Sequence, residues 1–329
     1  MKNLKKLGAI ALLAVMVFCF AGCVTSKQPV ERTEINVLAL KGPTGVGIVN
    51  LMEKSAQDTS VNKYNFEVLA SPEEAVGKIV KKEADIAAVA TNLASTLYKK
   101  TEKGVTLLAV NTLGVLSILE NGETVSDISD LKGKEIYSTG KGANPEYILR
   151  YVLSENSINP DKDVTLNFVQ TNDELVSLMA SGKAKVAMVA EPAATTVMTK
   201  IKTVRRVLNM TDEWGKIEDS GSLMMGCVIV RNEFLNENKE AVNKFLKEYK
   251  ESILATESNI DETAALCEKY GIIPAQTIAK KAIPECNVVY IDKTEMKQQL
   301  SGYLKVLYAA NPSSVGGELP DDNFYYIPQ

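Results

Sequence analysis

Between residues 35 and 230 the apolar positions of this chain switch repeatedly between two rhythms. Short apolar runs at Ile35–Leu40, Ile86–Ala90, Val105–Val110, Val115–Leu119, Val186–Ala190 and Leu223–Val230, joined by Glu135–Thr139, have the length and composition of strands. Between them, apolar residues recur at helical spacing: Ile48, Leu51 and Met52; Val76, Ile79 and Val80; Ile148, Tyr151 and Val152; Val176 and Met179. After about residue 231 the chain reads as amphipathic helices, for example Val242, Phe245, Leu246 and Tyr249. Strand–helix–strand–helix–strand order predicts parallel sheets covered by helices.

The rhythm repeats at an interval of one hundred residues. Laying 37–96 on 137–196 without a gap gives eleven identities, among them Lys41/Lys141, Gly42/Gly142, Ile48/Ile148, Glu74/Glu174, Val89/Val189 and Thr96/Thr196, where roughly four would arise by chance. The physical signals coincide with the identities. Each copy opens on a strand and turns through Lys-Gly into a helix. In the second copy Asn144 is positioned as an N-cap, with Pro145 at the first helical position and Glu146 in the first turn. In the first, Thr44 takes the cap place, followed by Gly45 and Gly47. The next helix carries a capping box twice, Ser71-Pro72-Glu73-Glu74 and Thr171-Asn172-Asp173-Glu174.

Two such copies predict a bilobal α/β protein. The first lobe is expected over 34–112 and 225–329, the second over 113–224. Asn111–Gly114 marks the outward crossing and Leu223–Val230 the return, which makes a two-strand hinge. In open α/β sheets a ligand lies outside the carboxyl ends of the strands. Those ends are Lys41–Gly47 and Thr91-Asn92 in one lobe, Gly140–Glu146 and Glu191-Pro192 in the other. Glycines there let a ligand approach free helix N–H groups, which favour anions. The spacing around Gly42, Gly45 and Gly47 is not that of a P-loop, and Glu191 would oppose a bare anion, so the ligand's charge stays open.

Charge and composition narrow the function. The chain has 329 residues, 45% of them hydrophobic, and no histidine, which excludes Ser-His-Asp catalysis, histidine-ligated zinc and HExxH proteases. Met1–Cys23 reads as an export signal: Lys2, Lys5 and Lys6 precede an uncharged run, Leu7–Gly22, whose sixteen residues are fewer than the roughly 20 of a spanning helix. Its end, Phe20-Ala21-Gly22-Cys23, resembles a bacterial lipobox, with Cys23 the lipidated residue and 23–33 a polar tether. Cleavage before Cys23 removes three lysines and takes the formal net charge from −4 to −7, which leaves no electrostatic footprint for nucleic acid. Cys227, Cys267 and Cys286 then remain; buried free thiols and a Cys267–Cys286 pair are both compatible with the sequence.

The mature chain resembles the ABC-transporter substrate-binding proteins of the nitrate/sulfonate/taurine and thiamine-precursor group. The resemblance is most specific at Lys81–Ala90 (KKEADIAAVA), Ile128–Ile136 (ISDLKGKEI), Ile158–Val164 (INPDKDV) and Ala180–Pro192 (ASGKAKVAMVAEP). It implies a type II periplasmic-binding fold that closes on a small solute and hands it to a membrane permease and its ATPase. It implies a monomer without cofactor or metal, anchored outside the cytoplasm by its lipid. Pocket candidates are Lys41, Gly42, Thr44, Gly45, Thr91, Asn92, Asn111, Thr112, Thr139, Gly140, Asn144 and Glu191. Related eukaryotic pyrimidine-precursor synthases use an active-site histidine, which this chain lacks. An enzyme of other chemistry on the same fold and a ligand-sensing surface lipoprotein are the alternatives.

Overall fold

A computed structural model describes residues 32–70, 72–217 and 221–328. The export signal, Cys23 and the cap residue Ser71 lie outside the described residues. Thr33–Gln329 forms one compact unit, and within it the chain builds two sheets in succession.

The first run is β1 (Glu34–Leu40), α1 (Pro43–Val46), α2 (Val49–Ala56), β2 (Lys63–Leu69), α3 (Pro72–Val80), β3 (Ile86–Ala90), α4 (Thr91–Lys100) and β4 (Val105–Thr112). The chain then passes into β5 (Leu116–Asn121), β6 (Glu135–Ser138), α5 (Asn144–Glu155), β7 (Thr165–Phe168), α6 (Asn172–Ala180), β8 (Val186–Ala190), α7 (Ala193–Lys200), β9 (Val204–Asn209) and α8 (Met210–Gly215). It returns as β10 (Gly226–Arg231) and ends in α9 (Asn232–Glu237), α10 (Lys239–Ser258), α11 (Ile260–Lys269), α12 (Gln276–Ala282), β11 (Val288–Asp292) and α13 (Lys293–Ala310).

The sheets have orders β11-β4-β10-β3-β1-β2 and β7-β6-β8-β5-β9. In each, three strands are parallel and a fourth runs antiparallel beside them, β10 in one and β5 in the other. These two strands, β10 and β5, are the ones that have just crossed from the other sheet. The inner parallel strands are buried on both faces, as helix-covered sheets require. On β1, Val37 and Ala39 pack with Phe245 and Tyr249 of α10, while Leu38 and Leu40 join the core that holds Leu97 of α4. That second core continues through Leu300 and Leu304 of α13 to Ile148 and Trp214 in the other lobe.

Two expectations are corrected. The stretch after residue 231 is not all helix: Val288–Asp292 adds an edge strand to the first sheet against β4. This short β-branched run has no alternation, because it is half-buried on both faces. Between β9 and the return crossing the chain also forms the short helix α8, capped by Asn209, whose Oδ1 accepts from the Thr211 N–H at 2.9 Å. The repeat is not ungapped in space. Val37 pairs with Ile86, but Ile136 pairs with Val186, so the second copy holds one more residue between these strands. A one-residue offset would otherwise turn every side chain of β6 to the wrong face.

Candidate functional site

The carboxyl ends of both sheets converge on the two crossings. Thr91 N–H donates to the Met225 carbonyl at 3.1 Å and Met225 N–H to Thr112 at 3.0 Å, which ties β3 and β4 to the return crossing. Glu191 N–H donates to Val115 at 3.0 Å, which ties β8 to the outward one.

In the first lobe, Lys41 is exposed and its N–H donates to Leu69, while Gly42, at φ +94°, donates to Ile272 at 3.0 Å. Thr44 does not cap a helix. Gly42 holds the N-cap place of the short α1, without side-chain help, and Thr44 sits inside the turn. Asn111 is 1% exposed and all its polar atoms are engaged: Nδ2 donates to the Tyr249 phenol oxygen at 2.9 Å and to the Thr44 carbonyl at 3.3 Å, and Oδ1 accepts from the Thr112 hydroxyl at 3.0 Å. Burial pushes the Tyr249 phenol far above its ordinary range, so it stays neutral. A Cβ on Gly226 would lie 2.5 Å from Thr44 Cγ2 and 2.7 Å from Asn111 Oδ1. Gly42, Thr44, Asn111, Thr112 and Gly226 thus form one corner.

Thr91 and Asn92 are not a loop; they are the first turn of α4. Thr91 is wholly buried and donates its hydroxyl to the Met224 carbonyl at 2.6 Å. Asn92 turns away and donates to Ser314 at 3.1 Å. Gly45 is a packing glycine: a Cβ there would stand 2.1 Å from the Leu40 carbonyl oxygen and 2.9 Å from Ile272.

The second lobe differs. Thr139 reaches Asn172 at 3.5 Å, and Gly140, at φ +77°, lets Pro145 approach its Cα face. Asn144 is not the N-cap. Ala143 holds that position, and Glu146 serves the turn by accepting from Gly142 N–H at 2.7 Å and from Arg150 at 2.8 Å. Asn144 is instead the first residue of α5, 4% exposed, and neither its Oδ1 nor its Nδ2 has a partner in the protein. A buried polar group left unpaired costs about 1–3 kcal/mol, so the carboxamide has hydrogen-bonding capacity left for a group outside the protein, a water or a solute. Thr211, beside Gly114 at the outward crossing, likewise has an unpartnered buried hydroxyl.

Glu191 is 4% exposed; it accepts from Thr195 N–H at 3.1 Å and from Arg206 at 2.6 Å. Burial raises its carboxyl above the usual range, against the lowering effects of Thr195 and Arg206. Arg206 also donates to Glu285. Neither Arg206 nor Glu285 stands out in the sequence, because the pair is 79 residues apart and neither lies in a repeated motif.

The model of the phosphonate periplasmic substrate-binding proteins of ABC transporters matches residues 51–281. The chain belongs to that family. It is a substrate-binding component of an ABC import system. An ABC-transporter structure from Parabacteroides distasonis is 24% identical, covers 90% of this chain and 99% of its own, and superposes with a TM-score of 0.75. The periplasmic aliphatic sulphonate-binding protein SsuA of Escherichia coli is 13% identical over 92% and 94% of the two chains, with a TM-score of 0.72. The periplasmic nitrate-binding protein NrtA of Synechocystis is 12% identical over 87% and 84%, at 0.62. These likenesses carry the fold, the type II periplasmic-binding architecture. Among curated proteins, none matches this sequence. No helix among the described residues is long and apolar enough to cross a membrane.

Proposed function

We propose that this protein is a lipoprotein, anchored through Cys23 on the extracytoplasmic face, that closes two lobes on a small polar solute and presents it to a permease. The lobes are 34–112 with 225–329, and 113–224. The solute occupies the space between the corner of Gly42, Thr44, Asn111 and Thr112 and the α5 start at Thr139, Gly140 and Asn144, with the buried Thr91 and Glu191 behind its walls. The observation that carries this reading is Asn144: a buried carboxamide with both polar atoms unpartnered at the N-terminal end of a twelve-residue helix. The family model's phosphonates and the sulphonate and nitrate of two neighbours suggest small oxyanions as the first solutes to try. A helix N-terminus favours them.

Catalysis is not part of the reading. The chain has no histidine, and the three described thiols are buried and free. Burial pushes the Cys267 thiol up to about 12 and holds Cys227 and Cys286 well above the ordinary thiol range, so none is a nucleophile at neutral pH.

The test is a melting screen of phosphonates, sulfonates and nitrate. A solute at a hundredfold its Kd stabilises by about 2.7 kcal/mol, and scattering should show a smaller radius of gyration in its presence. Asn144→Ala should abolish both effects. A solute that stabilises wild type and Asn144→Ala equally would place the site elsewhere. Cys23→Ser should move the protein from the membrane fraction to the soluble one; retention would remove the anchor.

A further inference from the structure

Beyond the two crossings, a third segment joins the lobes. It is 283–287, the turn that leads into edge strand β11 of the first sheet. Asn287, at φ +43°, accepts the Leu113 N–H on its carbonyl at 3.0 Å and donates its side-chain amide to the Gly114 carbonyl. Asparagine tolerates this left-handed backbone better than other side chains do. Two residues earlier, Glu285 accepts from Arg206 Nη1 on β9 of the second sheet. The other end of the same guanidinium, Nη2, donates to Glu191.

The two carboxylates differ in what lobe opening would do to them. Glu191, at the end of β8, and Arg206, on β9, belong to one sheet, so their bond survives any rigid-body motion of that lobe. The Glu191 side chain is 1% exposed and needs the guanidinium whatever the lobes do. Glu285 comes from the other sheet's edge, and its side chain is already 42% exposed. Water can take over its hydrogen bond as soon as the lobes part. The bond crosses a cavity of about 300 Å³ between α7 and α12, which also holds Lys202 and Lys281.

We propose that Arg206 and Glu285 form a closing latch. Glu191 holds the guanidinium in its orientation in both states, Asn287 marks the pivot, and the Arg206–Glu285 bond is made only when the lobes approach. The latch favours the closed form independently of the solute. It rests on the two-lobe reading proposed above.

The chain contains its own reporter, because Trp214 is its single tryptophan. Its ring lies 4.8 Å from Tyr151 on α5 and 5.6 Å from Tyr303 on α13, so it senses how the second lobe seats against the C-terminal helix. In the full-length protein, Glu285→Gln should red-shift Trp214 emission and raise acrylamide quenching about twofold, as expected when a bias toward one state is lost. Arg206→Gln should do the same if it folds, and the double variant should add little to either single change. Lys281→Gln, in the same cavity but outside the bond, should leave emission and quenching unchanged. The latch is overturned if Glu285→Gln quenches like wild type. It is equally overturned if Lys281→Gln shifts as far as Glu285→Gln does. Either result leaves the solute screen untouched, since that screen reads melting and not Trp214.

Discussion

The turns at Lys41-Gly42 and Lys141-Gly142 start from the same dipeptide and are built for different ends. In the first lobe the turn is packed shut: Gly45 and Gly47 let α1 and α2 press against Leu40, Ile272, Ile253 and Val288, and Asn111 is spent on Thr44 and Tyr249. In the second, Gly142 is exposed where Gly42 is buried, although neither has anything within 4 Å of a notional Cβ, and Glu146 rather than a cap side chain serves the Gly142 N–H. Asn144 is buried there with nothing to bond. One copy is given over to stability by the helices stacked behind it, α10 to α12. The other has the single helix α13 against α5 and retains polar capacity at the helix start. A repeat therefore shows where a site can be, while packing decides which copy keeps its free groups.

The largest effect should come from breaking the packed turn. Gly45→Ala forces a Cβ to within 2.1 Å of the Leu40 carbonyl oxygen, and overpacking of this kind, with a backbone atom that cannot rotate away, should cost about 3 kcal/mol. Gly142→Ala meets open space and loses only what φ +73° imposes on a Cβ, about 1–2 kcal/mol. Urea unfolding of both variants measures the contrast. Equal losses would mean the two turns are not built differently.

The next effect has the opposite sign. Asn144→Leu keeps the branched shape of the side chain and removes two unpaired buried polar atoms, so it should stabilise the solute-free protein by about 1 kcal/mol. The same change should eliminate the melting shift from any solute bound in the cleft. A gain in stability together with a loss of binding is what a residue kept for function gives. If Asn144→Leu instead destabilises, the carboxamide has a structural partner, and the second turn is closed off by its own packing just like the first.

These contrasts explain how far the sequence could be read. Strand and helix order was legible because each element carries its own period, and β3 and β8 fall on Ile86–Ala90 and Val186–Ala190 as expected. Caps were legible only where a local bond decides them. Thr171 accepts from Glu174 N–H at 3.1 Å, although the Glu174 carboxylate reaches back to Gln170 instead of the cap residue itself. Asn144 and Thr44 look like caps by residue type, yet Ala143 and Gly42 hold those places, because burial displaced the local preference. The Arg206–Glu285 contact and strand β11 depend on partners far along the chain, which no local pattern encodes. Thr171→Ala accordingly tests the local part alone: about 1 kcal/mol lost in urea unfolding, with solute affinity unchanged. A fall in affinity at unchanged stability would move α6 into the site.

The smallest effect concerns protons, and here too the lobes oppose each other. Glu53 on α2 accepts from Lys269 first and from Tyr270 at 2.7 Å, and these bonds hold its carboxyl down at about 2 against an ordinary value of 4.5. A depressed folded value means the unfolded chain binds the proton more readily. The contribution is therefore complete above pH 4.5 and disappears as the pH falls toward 2. Glu191 is shifted the other way, raised above 4.5 by burial. The folded protein takes up that proton first, so this group adds stability as the pH falls through its raised value, and the gain is complete below 4.5. Unfolding midpoints measured in steps from pH 7 to pH 2 should then separate the two. Glu53→Gln should flatten the loss below pH 4.5 and leave the region above it alone. Glu191→Gln should flatten only the region above pH 4.5, since the amide mimics the protonated form that burial prefers. Glu53 is about one-fifth exposed as a side chain, so solvent screens its bonds and its slope should be shallow. If both variants follow the wild-type curve through both windows, the two carboxyls titrate alike in the folded and unfolded chains, and the electrostatic contrast between the lobes is wrong.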